Sequence, residues 1–344
     1  MGGFEAIKKV GQGSFMVITG DLDPPQATRE LIDMVFGKKY LWYPIVGNHD
    51  FEKAADIQYL RALNSGDKSL SHLVRKGPVG SEETSYSFDW NDAHFIVLNL
   101  YYDGKSDIGG TGNIAPELFD WLQKDLDHNT KKCIFVFGHE PLLTIPDMDN
   151  GSIRHQGNSL DQYPETVFKF HQMLVKYKVT AYICGHTHRA SFANINGLWQ
   201  FDPGHIRGYE ADYTPDRLYA RISEEMKKKK DTGITLSKTL VDFYKSDIKE
   251  VNKIIFSLGF GSGKSYDEVS ENEAITGLNY FFIDYEKSIE TRNQHKKKFQ
   301  ENCGWGKSSF LRITVNKTST HVEIYRDDDF SGNYILKHSQ LLNQ

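Results

Sequence analysis

Short runs of apolar residues alternate with amphipathic helical patterns through the first part of the chain. Four of these runs are continuous, as expected for strands that are buried on both faces of a sheet. They are SFMVIT at 14–19, WYPIV at 42–46, CIFVFG at 133–138 and TAYICG at 180–185. The helical patterns cover residues 26–36, 53–63, 115–127 and 164–177. This alternation predicts an α/β core.

Other segments predict antiparallel strands. The runs 85–90 and 93–100 are separated only by Asn91-Asp92, so we expect them to pair as a tight hairpin. Residues 198–204 follow an Asn-Gly turn and predict another strand. A meander that completes a β-layer is predicted near the end of the chain, with strands at 310–316, 320–326 and 333–338.

The composition changes between these two regions. Residues 209–307 are rich in Lys, Glu and Ser and carry no motif chemistry. Their helical patterns cover 213–230, 235–256 and 272–299. We therefore predict a core at 1–208, a helical insertion or cap at 209–307, and C-terminal strands at 308–344 that complete the core.

The overall composition is that of a soluble globular protein. Of the 344 residues, 39% are hydrophobic and 25% are charged, with a formal net charge of −5. No apolar stretch reaches the roughly 20 residues of a membrane span, and no basic patch indicates nucleic acid. The three cysteines are too few and too scattered for a disulfide framework or a thiolate zinc site. A cytoplasmic and an extracytoplasmic location both stay open, as does the oligomeric state.

Four short motifs place metal-binding side chains directly after apolar runs. They are GDLDPP at 20–25, GNHD at 47–50, GHEP at 138–141 and GHTH at 185–188. One such motif alone is typical of an ordinary turn, but four in order at strand ends favour a ligand site at one edge of an open α/β sheet. Carboxylate and amide oxygens with imidazole nitrogens suit ions such as Mn, Fe or Zn. The predicted metal ligands are Asp21, Asn48, His139, His186 and His188.

The GNHD motif also supplies a candidate acid. Two metal ions about 3.5 to 4 Å apart polarise a phosphoryl group and create hydroxide at neutral pH. His49 follows the ligand Asn48 and is predicted to protonate the leaving alkoxide. Asp50 is predicted to orient the His49 imidazole and raise its basicity.

Substrate contacts are predicted from residues near the strand ends. Arg154 and His155 lie in the loop after GHEP, where specificity often resides, although a solvated surface role is the simpler interpretation of both. His205 comes just after the strand predicted at 198–204. A structural role and a substrate role for His205 are equally compatible with that position.

At these residues the chain resembles the calcineurin-like metallophosphoesterase family, whose pattern is DxH, GDxx, GNH(D/E), GHxP and GHxH. The resemblance covers about residues 10–207. It implies that Asp21 bridges two divalent ions and that Asn48, His139 and His186 complete one site. With Asp21, His188 would form half of the second site, and His49 would be the acid or transition-state stabiliser. The implied fold is a four-layer αββα sandwich of two mixed β-sheets.

The chain departs from this pattern at its beginning. The DxH motif should lie before Phe15, and no such pair exists there. We expect that the first strand is missing by truncation and that Phe4, Ile7 and Val10 mark the helix that follows it. A natural loss of one metal site is the alternative. A second departure is Asp23, which stands two rather than three residues after Asp21.

The sequence thus predicts metal-dependent hydrolysis of phosphoester bonds, by a phosphatase or a phosphodiesterase, with a metal-bridging hydroxide as nucleophile. The absence of DxH predicts impaired activity of the chain as it stands. A non-catalytic or single-metal interaction module of the same fold is the alternative. No residue pattern distinguishes a phosphate monoester from a diester as the substrate.

Overall fold

Strands and helices alternate as predicted in a computed structural model of the chain. The structure describes all residues except 1, 23, 67, 149–150, 152, 207–214, 230–234, 247, 258–264, 284–307, 317–318, 328–332 and 344. The first elements are α1 (Gly2–Gly11), β1 (Phe15–Ile18), α2 (Pro25–Phe36), β2 (Leu41–Pro44), α3 (Ala54–Ala62), β3 (Leu73–Lys76), β4 (Tyr86–Trp90) and β5 (Ala93–Val97). They are followed by α4 (Pro116–His128), β6 (Cys133–Phe137), α5 (Pro164–Lys176), β7 (Ala181–Ile183), β8 (Ala190–Ile195) and β9 (Leu198–Pro203). The last elements are α6 (Pro215–Lys229), α7 (Leu236–Ser246), α8 (Ile248–Ser257), β10 (Ser308–Val315), β11 (Ser319–Asp327) and β12 (Ile335–Asn343).

The largest sheet has seven strands in the order β3-β4-β5-β6-β7-β9-β8. The four central strands β5, β6, β7 and β9 run parallel, and antiparallel strands flank them on both sides. The hairpin predicted around Asn91-Asp92 joins β4 to β5. Val97 of β5 pairs with Phe137 of β6, which pairs with Ile183 of β7. The residues that follow these strands therefore leave the sheet at one edge.

A second β-layer packs on one face of this sheet. It contains the parallel pair β1–β2 and the antiparallel sheet β10-β11-β12. Phe95 and Phe135 of the seven-stranded sheet share a buried cluster with Tyr43 of β2 and Val322 of β11. The Phe15 ring of β1 meets the Phe95 ring edge-on at 5.2 Å between centroids. Aromatic side chains thus fill the space between the two β-layers.

Helices cover the outer faces of both β-layers. Ile96 of β5 packs with Leu118 of α4 and Phe170 of α5 on the free face of the seven-stranded sheet. Ile32 of α2 and Trp42 of β2 belong to a separate cluster with residues of α1 and α3. The order helix, sheet, sheet, helix confirms the predicted α/β class and the four-layer αββα sandwich.

The helix expected from Phe4, Ile7 and Val10 is α1. Phe4 is 7% exposed and packs with Ile7 in the cluster beneath α2. The carbonyl of Val10 accepts a hydrogen bond from Arg312 Nη1 at 3.1 Å, which joins α1 to β10. The helix is therefore tied to the β-layer at both of its faces.

The chain divides into two compact units, one formed by Met1–Ile206 with Gly306–Gln344 and the other by Arg207–Trp305. The second unit has its own cluster, which includes Leu240, Phe243, Val251 and Leu278. The roles predicted for segments 1–208, 209–307 and 308–344 stay predictions.

The helices predicted in the second unit differ in their limits from those observed. Where the pattern at 235–256 predicts one helix, α7 ends at Ser246 and α8 begins at Ile248. Residues 271–283 are helical, and the rest of the helix predicted at 272–299 lies outside the described residues. Among the helices that the structure describes, none combines the length and the hydropathy needed to cross a bilayer.

Candidate metal centre

The motif residues meet although their strands belong to two packed β-layers, with β1 and β2 in one layer and β6 and β7 in the other. Asp21 follows β1, and Asn48 begins a short 3-10 helix after β2. His139 lies two residues beyond β6, and His186 lies three residues beyond β7. Each parallel pair, β1–β2 and β6–β7, brings its own two residues together at the carboxyl ends of its strands, where open α/β sheets bind ligands. The single sheet edge that the sequence predicts is thus formed by the adjoining ends of two β-layers.

The backbone at these strand ends is constrained. Asp21, His186 and His188 have φ values of 58°, 66° and 56°, in the left-handed region that residues with a side chain rarely adopt. Glycine is required beside them: a Cβ at Gly20 would collide with His139 Nδ1, and one at Gly47 would collide with Asp21 Oδ1. The glycines of the motifs therefore allow the loops to approach each other closely.

Four ligand atoms converge at the centre of this edge. His139 Nε2 lies 3.4 Å from Asp21 Oδ2 and 3.2 Å from Asn48 Oδ1. His186 Nδ1 lies 3.1 Å from Asn48 Oδ1 and 3.2 Å from His139 Nε2. Ligands about 2.1 Å from a tetrahedral ion are separated by roughly 3.4 Å, so this spacing fits one ion.

Backbone carbonyls fix both imidazoles of this group. His139 Nδ1 donates to the carbonyl of Thr19 at 2.7 Å, and His186 Nε2 donates to the carbonyl of Asn158 at 3.1 Å. In the neutral rings, the nitrogens that face each other then carry lone pairs, as metal ligands must. The donor set and its orientation therefore fit a divalent cation.

Charges in the group are strongly coupled. Burial lowers the pKa of His139, but the charge and hydrogen bond of Asp21 outweigh burial and raise that pKa to about 9. Burial and the charge of His139 lower the pKa of His186 to about 3. For Asp21, burial opposes ionisation, and His139 and His49 together hold the pKa well below its ordinary value. A cation that binds here thus displaces a proton from His139.

Asp50 has contacts other than those predicted. Its carboxylate is fully buried and accepts hydrogen bonds from the backbone amides of Asp21 at 2.8 Å, Leu22 at 2.7 Å and Gly47 at 2.6 Å. Burial raises the pKa of Asp50 to about 6 against the effect of these amides. Through these three amides Asp50 ties the loop after β1 to the loop after β2. Its predicted role in orienting the His49 imidazole stays a prediction.

The His49 imidazole faces Glu52 instead. Its side chain is 47% exposed, and its Nδ1 lies 3.0 Å from Glu52 Oε1. The backbone amide of His49 donates to Asp21 Oδ1 at 3.1 Å, which holds the residue beside the ligand group. Sequence reasoning missed Glu52, although the spacing of three residues in a helical turn was an available signal.

The remaining predicted residues surround the group. Arg154 Nη1 donates to His188 Nδ1 at 2.6 Å, and Arg154 Nε donates to His155 Nε2 at 2.9 Å. The His155 ring lies 4.0 Å from the His186 ring between centroids. Burial and the charge of Arg154 lower the pKa of His155. Arg154 and His155 therefore contact the predicted metal ligands directly.

His188 and His205 lie together at the side of the group. His205 Nδ1 donates to the carbonyl of His188 at 3.2 Å. Burial, Arg154 and His205 lower the pKa of His188 to about 3. Ligand atoms of Asp21, His139 and His186 all lie within 4.8 Å of one another, and His188 does not belong to that set of described residues.

Two buried charged residues were not predicted. Glu140 is 4% exposed; its Oε1 accepts a hydrogen bond from Tyr101, and its Oε2 lies 3.6 Å from His186 Nε2. Arg189 is 6% exposed, and its Nε has no hydrogen-bond partner among the described residues. Their positions directly after His139 and His188 were the signal in the sequence. Asp23 lies outside the described residues.

Comparison with known proteins gives the chain relatives of low identity. The human cyclic GMP-AMP phosphodiesterase SMPDL3A is 23% identical over 357 aligned residues, which span 86% of this chain and 74% of that protein. The structure of GAP50, described as the anchor in the inner membrane complex of Plasmodium, matches 60% of this chain and 66% of its own, just under two thirds, with a TM-score of 0.37 and 15% identity. A single mutant of Vps29 from Entamoeba histolytica matches 98% of this chain and 87% of its own, with a TM-score of 0.31 and 9% identity.

A family comparison covers more than half of the sequence. The family described as calcineurin-like phosphoesterase matches residues 4–190, a range that includes all four motifs. This range begins in α1 and ends at the start of β8, so it also includes the strands whose ends carry the ligand group. The chain belongs to the calcineurin-like phosphoesterase family.

Proposed function

We propose that the chain is a metal-dependent phosphoesterase whose ion is bound by Asp21, Asn48, His139 and His186. The convergence of these four ligand atoms, 3.1 to 3.4 Å apart, carries the proposal. Oxygen and imidazole ligands suit Mn, Fe and Zn alike. A bound ion of this kind polarises a phosphoryl oxygen and lowers the pKa of water to near neutrality.

The protein supplies positioning around that ion. Asp50 holds the Asp21 loop against Gly47 through three backbone amides, so that the carboxylate of Asp21 points at His139. The His49 imidazole is exposed beside the group and can donate a proton to the leaving alkoxide. Glu52 Oε1 at His49 Nδ1 would fix the orientation of the ring.

We assign substrate binding to the side of the proposed metal ligands on which Arg154 lies. Arg154 contacts His188 and His155 and would hold phosphoryl oxygens with its guanidinium. His155 stacks near His186, and His205 lies against the His188 backbone, where both would line the substrate position. The name of the relative SMPDL3A supports a phosphodiester as the first substrate class to test.

The proposal is tested by metal content and turnover of the same chain. We expect Mn²⁺-dependent hydrolysis of an aryl phosphodiester or monoester by the wild-type protein, and EDTA should abolish it. His139→Ala should lose both metal and activity because it removes a ligand atom. His128→Ala is the matched control: among the described residues, the only hydrogen bond of this exposed histidine of α4 is to a carbonyl of its own helix. A wild-type protein that binds no divalent ion would refute the proposal.

A single-metal module without turnover is the second candidate. One observation favours it: His188, which the family resemblance assigns to a second metal ion, forms a hydrogen bond with Arg154. The same assay separates the two functions: full metal content without hydrolysis of either ester would support the module.

A further inference from the structure

His188 does not have the surroundings of a second metal site. The family resemblance expects one of its nitrogens on a second ion together with Asp21. In the structure, His188 Nδ1 instead accepts a hydrogen bond from Arg154 Nη1 at 2.6 Å. Because Nδ1 accepts this N–H, the neutral ring carries its proton on Nε2, and neither nitrogen of His188 then offers a lone pair to a cation. The described residues therefore fit one ion and not two.

The guanidinium of Arg154 is held from two sides. Nη1 donates to His188, and Nε donates to His155 Nε2 at 2.9 Å. Arginine has donors only and stays protonated in proteins, so both imidazoles act as acceptors in their neutral form. Two neutral rings thus fix the position of one positive charge beside the proposed metal ligands.

A second guanidinium lies near the first. Arg189 follows His188 in the chain and is 6% exposed, and its Nε has no hydrogen-bond partner within the described part of the chain. After burial, the charge of Arg189 is the main cause that lowers the pKa of Arg154. An anion that binds beside these two positive charges would offset their mutual repulsion and the cost of burying Arg189.

We propose that Arg154, fixed by His188 and His155, provides the positive charge that a second ion would otherwise provide. The centre then holds one divalent ion, and Arg154 binds the phosphoryl oxygens of the substrate with support from the charge of Arg189. A guanidinium suits this role because its planar donors match phosphate oxygens in pairs. The inference rests on the proposed phosphoesterase function and specifies how its substrate is held. His188 is a positioning residue in this scheme and not a metal ligand.

The scheme is tested by counting ions. Purified wild-type chain is dialysed against Mn²⁺, and the bound metal is measured by mass spectrometry with protein concentration. We expect one ion per chain. His186→Ala should weaken Mn²⁺ binding by more than about 100-fold, because even partners outside the ligand shell are worth roughly 10–100-fold. His188→Ala should leave the Mn²⁺ affinity unchanged.

The second readout is binding of inorganic phosphate to the Mn²⁺-loaded protein by calorimetry. Arg154→Gln should weaken phosphate binding about 10-fold or more, because a charge-assisted hydrogen-bond pair is lost. His188→Ala should weaken it in the same direction, since the guanidinium loses its support. Arg154→Lys should give an intermediate loss, because lysine keeps the charge without the planar donors.

Each outcome is decisive. Two ions in the wild-type chain, or loss of Mn²⁺ affinity in His188→Ala, would overturn the inference and leave the phosphoesterase function standing. Phosphate binding that is equal in wild type and Arg154→Gln would also overturn it. A wild-type chain that binds no ion would refute the proposed function and, with it, the inference.

Discussion

Glu140 is buried beside the proposed ligands with an incomplete set of partners. Tyr101 donates to its Oε1, while its Oε2 has no hydrogen-bond partner among the described residues and lies 3.6 Å from His186 Nε2. A buried carboxylate oxygen in this state costs stability unless a nearby cation offsets the cost. We infer that the charge of Glu140 favours a cation on the opposite nitrogen of His186.

Replacement of Glu140 by glutamine tests whether the charge of this side chain, and not its size, supports metal binding. Glu140→Gln keeps a side chain of the same size, but it removes the negative charge next to His186. We expect Mn²⁺ affinity to fall by about 10-fold or more, while the stability of the metal-free protein is unchanged or rises. Calorimetric titration with Mn²⁺ and urea unfolding measure the two effects.

Tyr101→Phe is the control for packing around this carboxylate. It removes the hydrogen bond to Oε1 and keeps the charge of Glu140. A larger loss of Mn²⁺ affinity in Tyr101→Phe than in Glu140→Gln would contradict an electrostatic role.

The sequence predicts the ligand residues better than it predicts the charged residues around them. Asp21, Asn48, His139 and His186 each follow an apolar run, and parallel strands fix where such residues emerge. The contact between Arg154 and His188 depends instead on the path of a long loop, and loop geometry is not encoded in any periodic pattern. The carboxylate beside the His49 imidazole is that of Glu52 and not that of Asp50, because the 3-10 turn directs the Asp50 side chain inwards.

A buried ion cluster joins the β4–β5 hairpin to α4. His94 is 2% exposed, with Nδ1 2.7 Å from Asp89 Oδ1 and Nε2 2.8 Å from Asp125 Oδ2. Ser87 Oγ donates to Asp125 Oδ1 at 2.9 Å, and Arg75 Nε lies 3.1 Å from the same oxygen. Burial lowers the pKa of His94, but Asp125 and Asp89 outweigh burial and raise it above 6.5.

This raised pKa predicts how the cluster responds to pH. The unfolded chain has the ordinary His pKa of 6.5, so the stabilisation by His94 is complete below pH 6.5 and is lost as pH rises through the folded pKa. The difference in unfolding free energy between wild type and His94→Gln should therefore shrink as the pH rises above 6.5. The change amounts to roughly 1.4 kcal/mol for each pH unit by which the pKa is raised. Urea unfolding at several pH values measures it.

An exposed histidine provides the comparison for this experiment. His128→Gln on α4 should leave the pH profile of the wild type unchanged. If the difference between wild type and His94→Gln were the same at every pH, His94 would not be the titrating group.

Two strands of the seven-stranded sheet were not predicted, and both lie at its edges. The strands β1, β2, β6 and β7 correspond to continuous apolar runs. The unpredicted strands β3 and β8 lie at the two edges of the seven-stranded sheet. An edge strand pairs on one side only and needs no continuous apolar run, so its sequence resembles that of a loop.

Metal removal should be visible in the stability of the whole chain. An ion that binds only the native state stabilises it by about 2.7 kcal/mol at about 100 times its Kd. The four proposed ligands all belong to the unit that contains Met1–Ile206. We therefore expect Mn²⁺ to raise the melting temperature of that unit by several degrees, as measured by scanning calorimetry, and EDTA to reverse the rise.

His139→Ala supplies the control for the calorimetry. It lacks one of the four ligand atoms, so Mn²⁺ should not change its melting temperature. An equal rise in wild type and His139→Ala would mean that the stabilising ion binds elsewhere.

The separation of the proposed ligands along the sequence determines at which stage of folding the metal ion can bind. Asp21 and His186 lie near opposite ends of the segment that runs from β1 to β9. Contacts between residues so far apart in sequence form late in folding, because closing the long intervening loop costs entropy before the contact contributes any stabilisation. On the ribosome, a nascent chain that has not yet extended past β7 has no complete set of donors. The cation therefore cannot be a template for the strands made before β7, and its uptake reports that β7 has already joined the sheet.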